Sequence, residues 1–237
     1  SQIACADENP LLKSDFWKEF DNSKFEEILA TGHSATDINA SLYTPLLYAA
    51  RYKAPAEAID LLVANGADVN RLGHDARTAL FYAAYSGDET VLDAILKYNP
   101  DPSILDSKGR SALLFSFYGQ PSSSLIGKLT DLGMDIRSVD TSGRNAALIS
   151  AQRAKSNEIF KLLGDQGVNL KIKDNDERGM LLNAAYRNTN LDVIKSIVAL
   201  NKKAIKNEDI DGQNALLVAA YRNSNIDVLN FLKSKGV

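Results

Sequence analysis

A run of seven mostly small or apolar residues recurs six times along the chain. The copies start at Thr44, Thr78, Ser111, Asn145, Gly179 and Asn214. Consecutive starts are therefore 34, 33, 34, 34 and 35 residues apart. Self-similarity at a fixed period of this length is the signature of a chain built from equivalent units that stack on their neighbours. This period predicts the fold class before any other feature is considered.

Each unit has the same internal order. An Asp or Asn opens a turn that Gly closes, as in residues 106–109 and 140–143. A short apolar helix with paired small residues follows, and then a second helix, as in residues 91–96, whose apolar residues recur at helical spacing. Acidic residues and lysines occupy the other positions of that second helix. The unit is therefore predicted to be a helix pair joined to the next by an extended turn.

This pattern resembles the ankyrin repeat, and the resemblance covers nearly the whole chain. Residues 44–50 match the Thr-Pro-Leu run of the family and residues 65–70 match its Gly-Ala-Asp-x-Asn segment. The resemblance implies an all-α solenoid of stacked helix-turn-helix pairs with short turn and hairpin loops. The His of the family pattern is replaced throughout, which predicts a more apolar contact and the loss of a polar link between turns. The replacing residues are Leu47, Phe81, Leu114, Leu148, Leu182 and Leu217.

The repeat register divides the chain into a tail and one continuous domain. Residues 1–9 are the tail, residues 10–39 a degenerate N-terminal capping repeat, and residues 40–237 six repeats, giving about seven helical pairs. We expect Trp17 to lie in the core of the capping repeat. At the other end, Asn230, Lys233, Ser234 and Lys235 predict a polar closing surface. We expect a monomer.

The third repeat departs from the pattern. Phe115 and Phe117 stand where small residues are expected, and residues 120–124, Gln-Pro-Ser-Ser-Ser, replace the usual turn between helices. We therefore expect a distorted unit. It also carries the alternative function considered for this chain, a small-ligand or enzymatic site within residues 115–126 around Phe117, Tyr118 and Gln120.

Composition argues against several other classes of function. The chain has 27 basic and 30 acidic side chains, so its net charge of −3 offers no overall attraction to nucleic acid. Its single cysteine excludes an internal disulfide framework and any multi-thiolate metal site. Neither His33 nor His74 has a partner at ligand spacing, and no phosphate-binding loop or nucleophile elbow occurs. We predict no catalytic residue, no metal, no cofactor, no nucleic-acid partner and no membrane span.

The amino end bears on location. Ala4-Cys5-Ala6 stands before a polar, acidic run and has the small-x-small pattern of a signal-peptidase site. This favours a periplasmic or secreted protein, or a lipoprotein with Cys5 as the modified residue. The alternative is a cytoplasmic protein with an incidental cysteine in its tail.

The resemblance implies that partner contacts concentrate at two registers on the concave surface. The turn register is the residue just before each seven-residue run, and the helix-end register is the two residues just after it. Eight of the ten arginines and six of the nine tyrosines fall in these 18 positions. The candidate partner-binding residues are Tyr43, Arg51, Tyr52, Arg77, Tyr85, Arg110, Tyr118, Arg144, Arg153, Arg178, Tyr186, Arg187, Tyr221 and Arg222.

Arginine and tyrosine suit recognition of an acidic surface. The guanidinium is a planar fork of donors that fits a carboxylate, and tyrosine offers rigid contact area with a polar tip. We therefore predict a non-enzymatic protein–protein interaction module whose partner is an acidic protein or peptide. For bacterial members the resemblance also implies a periplasmic adaptor or an immunity-type protein. The structural alternative is that the arginines pack along the turns and the tyrosines between repeats.

Overall fold

The first helix of most repeats begins at a polar residue that caps it. In the computed structural model of the protein, which describes residues 9–236, the hydroxyl of Thr44 accepts the N–H of Leu47 at 3.3 Å. The side-chain oxygen of Asn214 accepts the N–H of Leu217 at 3.0 Å. Such caps satisfy an N–H that has no partner within the helix. They explain why the repeated run so often opens with Thr, Ser or Asn.

Fourteen α-helices lie within residues 9–236, and they form seven pairs. The chain divides into two compact units, the first ending at Met134 and the second beginning at Asp135. The first unit holds α1 (Ser14–Lys18), α2 (Asn22–Ala30), α3 (Pro45–Arg51), α4 (Ala56–Ala64), α5 (Ala79–Ser86), α6 (Glu89–Leu96), α7 (Ala112–Ser116) and α8 (Ser123–Asp131). The second holds α9 (Ala146–Ala151), α10 (Glu158–Asp165), α11 (Met180–Arg187), α12 (Leu191–Leu200), α13 (Ala215–Arg222) and α14 (Ile226–Ser234).

Short 3-10 turns complete the described part of the chain, at Pro10–Leu12, His74–Ala76 and Lys202–Lys206. An isolated antiparallel bridge joins Glu208 to Asn214, and no strand occurs within residues 9–236. The predicted all-α fold of repeated helix pairs is confirmed.

Within each unit, first helices pack on first helices. In the first unit α3 contacts α5 and α5 contacts α7, and in the second α9 contacts α11 and α11 contacts α13. Fully buried small residues such as Ala84 and Ala185 stand at these contacts, where the missing side-chain bulk lets helices approach closely. The residues that replace the family's His are buried at Leu47, Phe81, Leu114, Leu148 and Leu182. The more apolar contact predicted there is confirmed, with Leu217 as the exception.

The N-terminal helix pair has its own core. Trp17 is buried, and its indole N–H donates to the carbonyl of Leu11 at 2.8 Å. Phe25 of α2 is buried as well. The core position predicted for Trp17 is thus confirmed. The motif Ala4-Cys5-Ala6 lies outside the described residues.

The third repeat is distorted as expected. Helix α7 has five residues, against eight in α5, and the backbone at Gln120 takes a left-handed φ of 61° before Ser122 caps α8. Phe115, Phe117 and Leu125 are buried. Residues 115–126 are the segment for which the sequence offers a small-ligand or enzymatic site as the alternative. Apolar side chains occupy the interior of this segment.

Candidate functional site

The turn register of the first unit is built around one buried carboxylate. Asp106 accepts the backbone N–H groups of Lys108 and Arg110 at 2.9 and 3.1 Å. Its other oxygen accepts the Nε and Nη2 of Arg110 at 2.9 and 2.6 Å and the Nε of Arg77 at 3.1 Å. Two of the predicted binding arginines are therefore engaged by the same internal acid.

The negative charge of Asp106 is balanced by the two arginines that contact it. Burial by itself would raise the pKa of Asp106, but the hydrogen bonds from Arg110 and Lys108 and the positive charge of Arg110 together outweigh it, and the pKa lies below its ordinary value. Arg110 is 4% exposed, which corrects the expectation that it offers free donors to a partner. Arg77 is mostly buried, and Arg144 of the second unit donates to Asp140 at 3.0 and 2.7 Å. These three arginines therefore pack against acidic residues of the turns, which is the structural role considered above as the alternative to partner binding.

Tyrosines surround Arg51 in the first unit. The guanidinium carbon of Arg51 lies 6.0, 5.7 and 5.8 Å from the ring centres of Tyr43, Tyr52 and Tyr82. Its Nη1 donates to the hydroxyl of Tyr43 at 3.1 Å. Three predicted residues are thus brought together, and Tyr82, which lies outside both registers, joins them. Tyr43, Arg51 and Tyr52 are half-buried, so this cluster is only partly available to a partner.

A second aromatic cluster in the same unit forms around Phe115. The rings of Tyr85 and Tyr118 lie 5.4 and 5.9 Å from the ring of Phe115. The guanidinium carbons of Arg77 and Arg110 lie 4.4 and 5.0 Å from the same ring. Phe115 is buried, and Tyr85 and Tyr118, which contact its ring, are half-buried.

The second unit has the most open assembly of predicted residues. A groove of about 380 Å³ is lined by Arg178, Tyr186, Gln213, Val218, Tyr221 and Arg222. All but Val218 belong to the two predicted registers. The guanidinium carbon of Arg222 lies 5.5 Å from the ring centre of Tyr186, and Tyr221 is 84% exposed. Arg187, which follows Tyr186 in the chain, is exposed, whereas Arg153, in an earlier repeat, is half-buried.

The arginines of this unit differ in how their charge is used. Arg178 donates from Nε to Asp209 at 3.1 Å and from Nη1 to Asp176 at 3.2 Å. Burial lowers the pKa of Arg178, but the bond to Asp209 and the negative charges of Asp176, Asp209 and Asp174 together outweigh it, and the pKa is raised overall. Within the described part of the chain, no acidic side chain forms an ion pair with Arg187 or Arg222. Their positive charge is therefore directed to solvent.

Two buried asparagines hold the Tyr-Arg pairs in place. The Nδ2 of Asn188 donates to the carbonyls of Ala151 and Ala154, both at 3.0 Å. The Nδ2 of Asn223 donates to the carbonyls of Ala185 and Asn188 at 3.2 and 2.8 Å. Each asparagine follows directly after an exposed Tyr-Arg pair and ties that helix end to the preceding repeat. The predicted registers do not include them, although the motif Tyr-Arg-Asn-x-Asn at residues 186–190 and 221–225 is visible in the sequence.

Metal binding and membrane crossing each require a particular arrangement of residues. In the part of the chain that the structure describes, no group of three or more His, Cys, Asp or Glu side chains is arranged to hold a metal ion. None of the helices within residues 9–236 combines the length and the apolar character that a membrane crossing requires.

Comparisons with known proteins agree with the repeat geometry. The family model described as ankyrin repeats (3 copies) matches residues 19–106, 46–140 and 148–237. The chain is also similar to "Putative ankyrin repeat protein L92" of Acanthamoeba polyphaga mimivirus, with 28% identity over 94 residues. That match covers 40% of this chain and 22% of the viral protein. The chain thus matches about a fifth of the length of this curated relative.

Proposed function

Since the chain belongs to the ankyrin repeat family, whose members generally mediate protein–protein interaction, we propose that it is a non-enzymatic module that binds an acidic protein or peptide. Its contact surface is the groove of the second unit together with Arg187. The observation that carries this proposal is the exposure of Arg187 and Arg222 without an acidic partner, next to the rings of Tyr186 and Tyr221. Arginine and tyrosine are residue types enriched where binding energy concentrates.

The groove combines a charged contact with an apolar one. Tyr186 lies beneath the guanidinium of Arg222, so its ring holds the fork in position while the donors point to solvent. A carboxylate of the partner then accepts two parallel hydrogen bonds from Arg222. An apolar side chain of the partner covers Val218 and the ring of Tyr221, which both line the groove. Arg178 contributes shape more than charge, because Asp176 and Asp209 already engage it.

A protein partner fits this surface better than a nucleic acid does. Nucleic-acid binding needs a track of cations that follows the phosphates. Here the helices that follow Arg187 and Arg222 begin with exposed acidic residues, Asp192 and Asp227, which interrupt such a track.

The test is a comparative capture experiment. Immobilised wild-type protein, the double variant Arg187→Glu/Arg222→Glu and the control Arg137→Glu are each exposed to an extract of the source cells. Arg137 is an exposed arginine of the same unit outside both registers. Quantitative mass spectrometry then compares what each protein retains, after thermal unfolding has confirmed that all three are equally folded.

We expect one or a few proteins that bind wild type and Arg137→Glu and are lost from the double variant. Purified candidates should then bind with an affinity that falls as salt rises, because the contact is between charges. If every specific partner is retained by the folded double variant, the contact surface lies elsewhere and this proposal is wrong.

A further inference from the structure

A pocket of about 110 Å³ opens in the second unit beside the end of α12. Its wall includes the buried side chains of Met180, Leu181 and Ile197. Leu170 lines it as well and is half-buried, and Leu200 lines it and is 53% exposed, so the pocket opens to solvent. None of its lining residues belongs to the two registers or to the groove described above. The pocket is therefore a separate candidate site.

Five exposed lysines accompany this pocket. Two of them, Lys171 and Lys173, line it. The other three belong to the 3-10 turn Lys202–Lys206, whose Ala204 also lines the pocket. These three are Lys202, Lys203 and Lys206. Among residues 9–236, Lys173 pairs with Glu177 at 3.0 Å, and no ion pair involves the other four lysines.

The acidic residues of the same two segments do little to neutralise these lysines. Arg178 bonds to Asp176 and Asp209. Asp174 is buried, where it accepts the backbone N–H of Arg178 at 2.9 Å. Glu208 is exposed and forms no ion pair with any described residue. Four unpaired lysines thus outnumber one unpaired acid, and the surface around the apolar pocket is positively charged.

The volume of the pocket decides what can enter it. Cofactors and other small-molecule ligands occupy pockets of about 300–1,000 Å³. An apolar cavity of about 150 Å³, by contrast, holds a single benzene. At about 110 Å³, this pocket has room for one aliphatic side chain. The groups attached to that side chain then lie outside the pocket, near the lysines, where negative charge is favoured.

We propose that this pocket is a second protein-binding site, which takes one leucine-sized side chain of a partner segment that has acidic residues on both sides of it. The lysines attract the segment and the pocket selects its apolar side chain. Nucleic acid suits the site less well, because bases stack on aromatic rings and no aromatic residue lines the pocket. None of the residues of the groove that contains Arg222 takes part, so neither site requires the other.

A titration followed by NMR tests the pocket directly. The probe is the acetylated peptide Glu-Glu-Leu-Glu-Glu, added to the isotope-labelled chain up to millimolar concentration. The backbone amide signals of Leu200, Asn201 and Ala204, which line the pocket, should shift and saturate. The peptide Glu-Glu-Ala-Glu-Glu should bind at least about tenfold more weakly, because it lacks the methyl groups that enter the pocket. Lys-Lys-Leu-Lys-Lys should not bind.

Two variants test the pocket and the lysines separately. Ala204→Leu places a larger side chain at the pocket wall and should abolish binding. Lys171→Glu/Lys203→Glu should weaken binding by at least about tenfold, and the difference should shrink as salt rises. Lys155→Glu/Lys233→Glu is the matched control, since it makes the same change in charge at two exposed lysines of this unit that do not line the pocket. Dispersion of the amide spectrum shows whether each variant is folded.

Arg187→Glu/Arg222→Glu distinguishes the pocket from the groove proposed above, and it should bind the leucine peptide as wild type does. If this variant loses the peptide while Lys171→Glu/Lys203→Glu keeps it, the peptide occupies the groove and the pocket is not a binding site. The pocket is also excluded if the leucine peptide shifts none of its signals, if the alanine peptide binds equally well, or if folded Ala204→Leu binds unchanged.

Vesicles of phosphatidylcholine and phosphatidylserine provide the last comparison. Wild type should not sediment with them more than Lys171→Glu/Lys203→Glu does. Lysine-dependent binding to these vesicles, without a response to the leucine peptide, would assign the surface to a lipid membrane and overturn the protein-binding site.

Discussion

The Nε of Arg77 in one turn donates to the buried carboxylate of Asp106 in the next turn, at 3.1 Å. The same relationship joins Arg178 to Asp209 in the second unit, also at 3.1 Å. Each bond ties consecutive repeats together at their turns. The His of the family pattern is absent from this chain, so these Arg–Asp bonds supply a polar link between turns where that residue does not.

Removing the carboxylate of Asp106 should therefore cost much of the stability of the first unit. Asp106→Ala leaves the buried guanidinium of Arg110 without its carboxylate, and it removes one of the two acids that Arg77 contacts, the other being Asp75 at 2.8 Å. Breaking a buried ion pair in this way costs about 3 kcal/mol or more. Urea denaturation followed by circular dichroism measures the change. Asp135→Ala, at an exposed ion pair, is the control and should shift stability by less than about 0.5 kcal/mol. Equal effects of the two substitutions would contradict the role of Asp106.

The same carboxylates predict how stability depends on pH. The pKa values of Asp106 and Asp209 lie below the ordinary aspartate value of about 3.9, because hydrogen bonds to the charged form outweigh burial. Their contribution to stability is therefore complete above that value and is lost as the pH falls through the lowered pKa of the folded state. The free energy of unfolding should fall as the pH is lowered below about 4.

Urea midpoints measured between about pH 6 and about pH 3 test this, with Asp106→Asn as the comparison. That variant should be less stable near neutral pH and should lose less stability on acidification, because one of the titrating groups is gone. A variant that follows the wild-type slope would show that Asp106 does not titrate with a lowered pKa.

Two glycines of the third repeat should respond to alanine with opposite signs. A Cβ at Gly119 would overlap the backbone carbonyl oxygen of Tyr85, whereas a Cβ at Gly127, inside α8, would meet nothing within 4 Å. Gly119→Ala should therefore destabilise by about 2 kcal/mol through overpacking. Gly127→Ala should stabilise by about 1 kcal/mol, because alanine is the better helix former. Chemical denaturation of both variants decides the matter, and a stabilised Gly119→Ala would show that Tyr85 and Gly119 are not in close contact.

The buried asparagines predict a further loss. Asn188→Ala removes an amide that donates to two carbonyls of the preceding repeat and leaves both without that partner. Because an unsatisfied buried carbonyl costs about 1–3 kcal/mol, we expect the variant to lose about 2 kcal/mol. Asn65→Ala, whose amide makes a single exposed bond to the carbonyl of Leu61 at 2.8 Å, should lose less. Thermal unfolding of the two variants makes the comparison, and a smaller loss for Asn188→Ala would contradict the assignment.

Features that a repeat determines within itself could be predicted from the sequence. The capping residue at Thr44 or Asn214 acts on a backbone N–H three residues later, and the small pair that ends at Ala185 packs wherever two first helices meet. Such features depend only on local order and on the existence of a neighbour. The period of the repeated run therefore predicted the helix pairs correctly.

The direction and exposure of particular side chains could not be predicted in this way. Arg110 bonds only to the acid of its own turn, Asp106, whereas Arg77 contacts both Asp75 of its own turn and Asp106 of the next, although both arginines occupy the same register. Leu182 and Leu217 are likewise the same residue at the same position, yet Leu182 is buried and Leu217 is 49% exposed, because within residues 9–236 a helix pair follows the repeat of Leu182 and none follows that of Leu217. These differences arise from tertiary packing, which decides how many of the candidate arginines remain available to a partner.

The most specific prediction for the proposed contact surface concerns the stacking of Arg222 on Tyr186. Arg222→Lys keeps the positive charge but loses the planar group that lies 5.5 Å from the ring centre. Its affinity for the captured partner should fall by about 0.5–1 kcal/mol, the usual contribution of such a contact at an exposed site. Arg222→Gln also loses the charge and should bind more weakly still.

Calorimetric titration at two salt concentrations separates the effect of stacking from the effect of charge, because only the loss of affinity due to charge shrinks as salt rises. Arg137→Lys is the control, and an Arg222→Gln variant that binds as tightly as wild type would remove Arg222 from the contact surface.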